Sequence, residues 1–398
     1  MHFARRMNRI LALCLALSFA GLAGCVSDVD GTAADGDGND GEGVSPEAVS
    51  AATVDVGFDG FADQFADYST FYGIDKTHTH LCHGYFAWNV GSQPAKSGDP
   101  SDQSSRAYLD NWLAAAEGHC AEVLIAFKSM SNRAAPDEDD FTTAFQDFVD
   151  TDWTAETGFT GRFDFSTWNE PNNPGTAGNG LGVQIEANLA ARYYMNATKL
   201  CRSHGCEVVA GDFATNGTMW DDLEWNCSND NVELDQLCAE YSSENSAHAA
   251  ASYLDKYKNE IAQHRNDTRY GLGADFHPMA FAYHGWHDTN EYLGDGAHCD
   301  SYGDCAARRL EKSLGGMWSA TDIWDTEDGM GQNGALSDHD QACGAAFLLR
   351  LATITSRVKR VYITRLSGGT DELIDASGAR PALGVLANRE KTYESDCK

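Results

Sequence analysis

Residues 163–172 read FDFSTWNEPN, and the interpretation of the chain starts from this stretch. Its first residues alternate aromatic and polar side chains, the period-2 pattern that predicts a β-strand. Glu170 follows Asn169 and precedes Pro171, which predicts an extended conformation for Glu170 and the end of the strand there. The stretch therefore predicts a strand that carries an amide and a carboxylate at its carboxyl end.

Strand and helix patterns alternate along the chain from residue 53 to residue 398. Eight strands are predicted, the one above being the fourth; the others lie at residues 54–58, 77–88, 123–127, 207–211, 275–286, 321–326 and 358–364. Apolar residues at helical spacing separate them, which predicts a single α/β domain, a (β/α)8 TIM barrel. A doubly wound open sheet is the alternative, but it usually has a Gly-rich phosphate loop after an early strand, and residues 57–60 lack that spacing.

The first 25 residues predict export. Three arginines precede an apolar run at residues 10–20, which is too short for a stable membrane span. Leu22-Ala23-Gly24-Cys25 resembles the lipobox of bacterial lipoproteins, which implies that Cys25 is lipidated; an ordinary signal peptide is the alternative. Residues 26–52 have seven acidic residues, no basic ones and little to bury, so they predict a flexible tether. We expect a barrel anchored at the cell envelope by lipid alone.

The 398-residue chain is strongly acidic, with 28 Lys and Arg against 60 Asp and Glu and a formal net charge of -32. The predicted tether accounts for only a small part of this charge. An acidic domain argues against nucleic acid and anionic polymers as partners and suits a neutral substrate.

Cysteine usage predicts disulfides. Of 12 cysteines, Cys14 is lost with the signal segment and Cys25 is the expected lipid site, which leaves ten in an exported protein. Local spacing suggests three pairs and elimination two more: Cys201–Cys206, Cys227–Cys238, Cys299–Cys305, Cys82–Cys120 and Cys343–Cys397.

A second glutamate stands at a predicted strand end. Residues 323–329 read IWDTEDG, so Glu327 closes the seventh strand, with Asp325 and Asp328 as nearby rivals. In a barrel of eight, the fourth and seventh strands face each other across the mouth, where barrel enzymes carry their active sites. Two carboxyl groups about 5–5.5 Å apart are what a retaining glycosidase needs, one to protonate the departing oxygen and one to attack the anomeric carbon. Glu170 and Glu327 are therefore the predicted catalytic pair.

The motifs at residues 168–171 (WNEP) and 324–329 (WDTEDG) resemble those of the clan A glycoside hydrolases, which are retaining (β/α)8-barrel glycosidases. The resemblance covers most of residues 53–390. It implies that Glu170 is the general acid/base, that Glu327 is the nucleophile and that Asn169 hydrogen-bonds the sugar 2-hydroxyl. It implies a carbohydrate substrate and no cofactor.

Residues 281–286 (FAYHGW) look like the sixth-strand segment that places a histidine, here His284, and an aromatic residue near the nucleophile in such enzymes. Many members also carry an arginine near the second or third strand, and Arg133 is the nearest candidate here. Trp88 and Trp286, each at a predicted strand end, are expected to stack on the sugar.

The second predicted strand contains His78 and His80, whose side chains point the same way in a strand. We expect His80 to line the sugar pocket. A metal-dependent barrel hydrolase that uses His78 and His80 as ligands is the alternative. A surface lipoprotein that binds glycans without cleaving them is another. The sequence does not identify the sugar, and we expect a monomer.

Overall fold

The computed structural model describes residues 54–65, 67, 71, 80–130, 135–173, 185–215, 252–295, 305–329, 336–364, 373–375, 378–389 and 397. Eight parallel strands form a closed barrel in chain order, and β8 pairs with β1 to close it. The strands are β1 Asp55–Asp59, β2 Leu81–Ala87, β3 Glu122–Lys128, β4 Arg162–Ser166, β5 Glu207–Ala214, β6 Ala280–His284, β7 Asp322–Asp328 and β8 Val358–Thr364. The predicted (β/α)8 TIM barrel is confirmed, and each predicted strand overlaps an observed one.

Helices surround the barrel, and a short antiparallel pair, β9 Ile374–Asp375 and β10 Gly378–Ala379, follows it. The α-helices described are α1 Arg106–Ala116, α2 Glu138–Asp150, α3 Trp153–Thr157, α4 Ala187–His204, α5 Tyr253–His264, α6 Trp286–Asp295, α7 Ala306–Ser313, α8 Asp338–Ile354 and α9 Pro381–Asn388. Short 3-10 helices lie at Ala62–Gln64, Val90–Ser92 and Gly316–Trp318.

Several helices begin where a side chain satisfies the first free backbone N–H groups. Ser105, Asp137, Ser252 and Ser337 each accept a hydrogen bond from the backbone N–H three residues later. Such caps fix the first turn, because the first four N–H groups of a helix have no partner within it.

Apolar side chains pack against both faces of the barrel sheet, outside against the helices and inside the barrel. A large buried group packs between the strands and the helices; for example, Phe165 of β4 contacts Phe148 of α2, with ring centroids 5.3 Å apart. A smaller group fills the interior: Leu81, Leu124, Val209, Ala280, Ala282, Trp324 and Tyr362. The barrel is therefore a packed core rather than a pore, and chemistry is confined to its ends.

The amino end of the barrel contains an ion cluster. Arg360 of β8 lies 4.0 Å from the ring centroid of Trp324 and pairs with Asp164 at 2.9 Å and Glu122 at 2.7 Å. Burial raises the pKa of Asp164 to about 6 despite the opposing charges of Arg360 and Arg162. This ion cluster therefore closes the amino end of the barrel, opposite the carboxyl ends of the strands.

Three of the predicted disulfides are present: Cys82–Cys120, Cys201–Cys206 and Cys343–Cys397. Cys305 is disulfide-bonded, but its predicted partner Cys299 lies outside the described residues, as do Cys227 and Cys238. Cys25 and the expected tether also lie outside them. Among the described residues, no helix combines the length and the apolar character needed to cross a bilayer.

Candidate active site

Glu170 and Glu327 meet at the carboxyl end of the barrel. Each offers a carboxylate oxygen to a group that also includes His284, and the three ligand atoms lie within 4.8 Å of one another. The two side chains are 14% and 22% exposed, so both reach solvent at the mouth while most of each is buried. The structure thus brings the two predicted carboxylates to a spacing that one sugar ring can bridge.

Glu170 lies beyond β4, which ends at Ser166, and the predicted extended conformation is wrong. Its φ is +48°, in the left-handed region. Pro171 disfavours the right-handed helical region for the preceding residue but leaves this one accessible. The Glu170 N–H donates to the Asp212 carbonyl at 2.9 Å, and the Asn173 N–H donates to the Glu170 carbonyl at 3.0 Å. These bonds hold a tight turn that aims the carboxylate across the mouth.

Glu327 lies within β7, as predicted, and is held from the opposite wall by β2. The Tyr85 hydroxyl donates to Glu327 Oε2 at 3.0 Å. Lys128, the last residue of β3, places its ammonium 4.6 Å from the Tyr85 ring centroid. Arg133, the nearest candidate for the arginine that such enzymes often carry, lies outside the described residues. The Glu327 carboxylate is therefore held by the hydroxyl of Tyr85, whose ring lies against the Lys128 ammonium.

His284, the last residue of β6, stands between the two glutamates. Its Nδ1 is 2.9 Å from Glu170 Oε1 and 3.2 Å from Glu327 Oε2, and its Nε2 is 3.3 Å from Asp212 Oδ1. The Asp212 contact is an ion pair rather than an aligned hydrogen bond. Burial favours the neutral ring, but Glu327, Asp212 and Glu170 outweigh it, and the pKa of His284 rises well above its ordinary value.

The protonation of the two glutamates is linked through His284. Burial opposes the ionisation of Glu170, but the hydrogen bond and charge of His284 outweigh it, so its pKa falls below the ordinary value. Burial and the charge of Glu170 raise the pKa of Glu327 despite His284 and Tyr85. The pKa shifts of the two glutamates therefore have opposite directions, downward for the predicted acid Glu170 and upward for Glu327.

Asn169 is buried beside Glu170, and its N–H donates to the Phe127 carbonyl at 2.7 Å. Its Oδ1 is buried and accepts no hydrogen bond from the part of the chain that the structure describes. A substrate hydroxyl that reaches Asn169 could therefore donate a hydrogen bond to its Oδ1 atom.

Trp88 and Trp286 lie at the same end of the barrel. Trp88 directly follows β2, and its N–H donates to the Lys128 carbonyl at 3.1 Å. Trp286 begins α6 and lies against Gly329, where a Cβ atom would come within 2.1 Å of the ring. Both rings are half-buried, as a partly exposed stacking surface requires.

The prediction that His80 lines the pocket is wrong. His80 directly precedes β2 and its carbonyl accepts from the Ala121 N–H at 2.9 Å, so it lies at the amino end of the barrel, opposite Glu170 and Glu327. The chain reaches the mouth only after the seven residues of β2. A metal site built on His80 is therefore not at the mouth, and His78 lies outside the described residues.

The rival carboxylates Asp325 and Asp328 point away from the cleft. Both are buried and face Gly285, where a Cβ atom would lie 2.1 Å and 2.4 Å from their Oδ2 atoms. Asp325 accepts from the Gly285 N–H at 2.9 Å and Asp328 from the Thr289 hydroxyl at 3.0 Å. Through these hydrogen bonds the two aspartates connect β7, on either side of Glu327, to Gly285 after β6 and to Thr289 in α6.

Sequence reasoning missed three residues of the site: Tyr85, Lys128 and Asp212. All three lie near the carboxyl end of a strand. Asp212 follows Gly211, where the fifth strand was predicted to end, although β5 continues to Ala214 past a bulge. Inspecting every strand end for polar residues, rather than only the fourth and seventh, would have found them.

Searches for similar proteins found no matching family model and no matching curated protein. Among solved structures, a conserved exported protein from Bacteroides fragilis is 13% identical, with a TM-score of 0.52 over 84% of this chain and 78% of that one. A GH39 enzyme from Xanthomonas axonopodis pv. citri is 14% identical (TM-score 0.50; 85% and 66%). A GH5_18 protein from Bifidobacterium longum subsp. longum is 12% identical (TM-score 0.50; 86% and 80%). At such identities these likenesses show that the chain has the (β/α)8 barrel fold.

Proposed function

We propose that this protein is a retaining glycoside hydrolase that cleaves β-linked glycosides or polysaccharides by double displacement. The observation that carries the proposal is the pair Glu170 and Glu327, which face each other across one barrel mouth with ligand atoms within 4.8 Å. Retaining glycosidases hold their two carboxyl groups about 5–5.5 Å apart, whereas inverting enzymes need a wider gap of roughly 6.5–9.5 Å for a water molecule. The names of the GH39 and GH5_18 structures, which share the barrel fold, denote glycoside hydrolase families and support a glycoside hydrolase.

Glu170 is the general acid/base and Glu327 is the nucleophile. Glu327 attacks the anomeric carbon while Glu170 protonates the departing oxygen; Glu170 then deprotonates a water that releases the sugar from Glu327. Tyr85 favours the ionised form of Glu327 through its hydrogen bond. Asn169 Oδ1, which is buried and has no hydrogen-bond partner among the described residues, accepts a hydrogen bond from the 2-hydroxyl of the bound sugar.

Replacing Glu327 with alanine tests the nucleophile. On an activated aryl β-glycoside, E327A should lose turnover by at least about 10³-fold while still binding the substrate, and azide should restore product with inverted configuration. Hydrolysis by E327A at the wild-type rate would refute the assignment.

Asp325→Asn is the matched control. Asp325 lies two residues away on the same strand, but its carboxyl faces Gly285 rather than the cleft. D325N should therefore keep turnover within a few-fold of wild type, which separates loss of the nucleophile from disturbance of β7.

Metal-assisted hydrolysis at the same residues is the second candidate. Two carboxylates and an imidazole with ligand atoms within 4.8 Å form a set that Zn²⁺ accepts. Prolonged chelation followed by assay decides between the candidates: activity that survives excludes the metal, and activity that is lost and then restored by Zn²⁺ favours it.

The substrate is a neutral carbohydrate, since the acidic chain disfavours anionic polymers and nucleic acid. The protein acts as an exported monomer, with Cys25 carrying the lipid anchor and residues 26–52 forming the tether. Metabolic labelling with a fatty-acid analogue, compared between wild type and C25S, tests the anchor. A wild-type protein that binds glycans and cleaves none across a panel of aryl glycosides and polysaccharides would instead be a glycan-binding lipoprotein.

A further inference from the structure

The last side chain of β3 points into the mouth of the barrel. Side chains alternate between the two faces of a strand. Leu124 belongs to the interior group, and the residues on either side of it pack against the helices. The same alternation turns Lys128, the last residue of β3, toward the inside. In the register of β2 and β3, Lys128 stands opposite Ala87, two residues beyond Tyr85. Lys128 therefore belongs to the layer of side chains that lines the cleft.

The ammonium of Lys128 lies near three carboxylates at the mouth. It stands 4.6 Å from the Tyr85 ring centroid, and this cation–π contact fixes its place. Glu327, Asp59 and Glu170 act on it through their charges, but it forms no ion pair and no hydrogen bond with the described part of the chain. The residue is half-buried, and its ammonium has three N–H donors to satisfy. The oxygens of a substrate at the mouth would supply acceptors for them.

The residues that flank Lys128 complete a binding surface. On one side Trp88 follows β2, and its N–H donates to the Lys128 carbonyl at 3.1 Å. On the other side Asn169 follows β4, and its N–H donates to the Phe127 carbonyl at 2.7 Å. Asn169 Oδ1 is buried and accepts no hydrogen bond within the described ranges. An aromatic ring, an ammonium donor and an amide acceptor thus follow one another at the ends of β2, β3 and β4. A sugar presents an apolar face and hydroxyls to such a set.

We propose that Lys128 is a specificity-determining residue that donates a hydrogen bond to the 3-hydroxyl of the sugar bound at Glu327. This inference rests on the proposed glycosidase function, in which Glu170 faces the oxygen on C1 and Asn169 accepts from the 2-hydroxyl. The Glu170 N–H bonds to a carbonyl of β5, whereas the Asn169 N–H bonds to a carbonyl of β3. The same direction around the mouth, continued from Asn169 to β3, brings C3 of the sugar to Lys128.

A hydroxyl fits this ammonium better than an anionic substituent does. Glu327, Glu170 and Asp59 surround Lys128 with negative charge, which repels a carboxylate or a sulfate on the sugar. A hydrogen bond from a charged donor to a neutral hydroxyl brings no such repulsion. It is also selective, because an analogue that lacks the hydroxyl leaves the donor unpaired.

Lys128→Met tests the proposal, since methionine keeps most of the length of the side chain and removes the donor and the charge. The probes are 4-nitrophenyl β-glycosides of glucose, galactose, mannose and xylose, and the one cleaved fastest is compared with its 2-deoxy and 3-deoxy analogues. In wild type, kcat/KM should be at least about tenfold higher for the parent than for the 3-deoxy analogue, and K128M should reduce this ratio to below about threefold. The ratio for the 2-deoxy analogue should be the same in both proteins within about threefold, because Asn169 binds that hydroxyl.

Lys258→Met is the matched control, because Lys258 lies on the outer helix α5, its side chain is 17% exposed and it pairs with Asp255 at 3.2 Å. K258M should keep both ratios. A 3-deoxy ratio that K128M leaves unchanged, or that K258M lowers equally, would contradict the role of Lys128. An equal fall in kcat/KM for every glycoside in K128M would also overturn it, since that result indicates support of Tyr85 alone. Equal kcat/KM of wild type for the parent and the 3-deoxy analogue would overturn the proposal whether or not K128M folds.

Binding separates this inference from the proposed function. If wild type cleaves none of the glycosides, the glycosidase assignment fails, and ligand-observed NMR titration with each parent and its 3-deoxy analogue still compares their affinities. Weaker binding of a 3-deoxy analogue to wild type by about tenfold, with no such difference in K128M, would support the contact with Lys128. Equal affinities in wild type, or no binding at all, would overturn it.

Discussion

Asp325 and Asp328 form a buried carboxyl pair whose effect on stability can be worked out from the structure. The Oδ2 atoms of both face Gly285, and a hydrogen bond between the two carboxyl groups would need a proton on one of them. With both ionised, Asp325 Oδ2 would be a buried acceptor without a donor. Burial and the neighbouring charge raise the pKa of Asp325 well above its ordinary value, and burial raises that of Asp328 from 3.8 to about 7.

The sign of the effect follows from these raised values. The folded protein binds the proton more tightly than the unfolded chain, so the pair's stabilising contribution is complete below the unfolded pKa and is lost as the pH rises. For Asp328 the free energy of unfolding falls between pH 3.8 and about 7, at about 1.4 kcal/mol per pH unit or about 4 kcal/mol in all.

Asp328→Asn should remove this loss, because the amide does not ionise and its NH2 group can donate to Asp325. We expect D328N to gain stability relative to wild type as the pH rises above 3.8, with an advantage that approaches about 4 kcal/mol at pH 8. Urea unfolding followed by tryptophan fluorescence at several pH values measures the difference.

The matched control is Asp139→Asn, because the Asp139 side chain is 89% exposed and pairs with surface Arg269. D139N should follow the wild-type curve within about 1 kcal/mol at every pH. If the advantage of D328N does not grow with pH, the pair does not hold a proton and its assignment is wrong.

Two further predictions concern Tyr85, at the carboxyl end of the barrel, and Arg360, in the ion cluster at its amino end. Tyr85→Phe removes the hydrogen bond to Glu327 and should lower kcat/KM about 10- to 100-fold, the equivalent of roughly 1.5–3 kcal/mol, with an unchanged circular dichroism spectrum; a change below twofold would refute the role of Tyr85. Arg360→Met leaves buried Asp164 with only the half-exposed Arg162, at 3.2 Å, among the cations of this cluster, and should lower the free energy of unfolding in urea by about 3 kcal/mol. A decrease below about 1 kcal/mol would show that the pair of Arg360 with Asp164 does not stabilise the fold.

The amino-acid sequence by itself determined the barrel and its two glutamates. Period-2 and helical patterns are local properties, and eight alternating pairs of them leave few folds that bury every apolar face. Glu170 and Glu327 were found because each lies near the end of a predicted strand, and in a closed barrel all carboxyl ends share one mouth.

Side-chain direction and register could be decided only by the tertiary structure. His80 looked suitable by residue type, yet it precedes β2 and lies at the opposite end of the barrel. Asp212 was overlooked because a bulge of β5 turns a carboxylate toward His284, and a bulge has no signature in a strand pattern. The pKa shifts of Glu170 and Glu327 likewise depend on burial and on the charges of Asp212 and His284, which only the closed barrel brings together, so local sequence identified the two candidate carboxylates but not the direction of either shift.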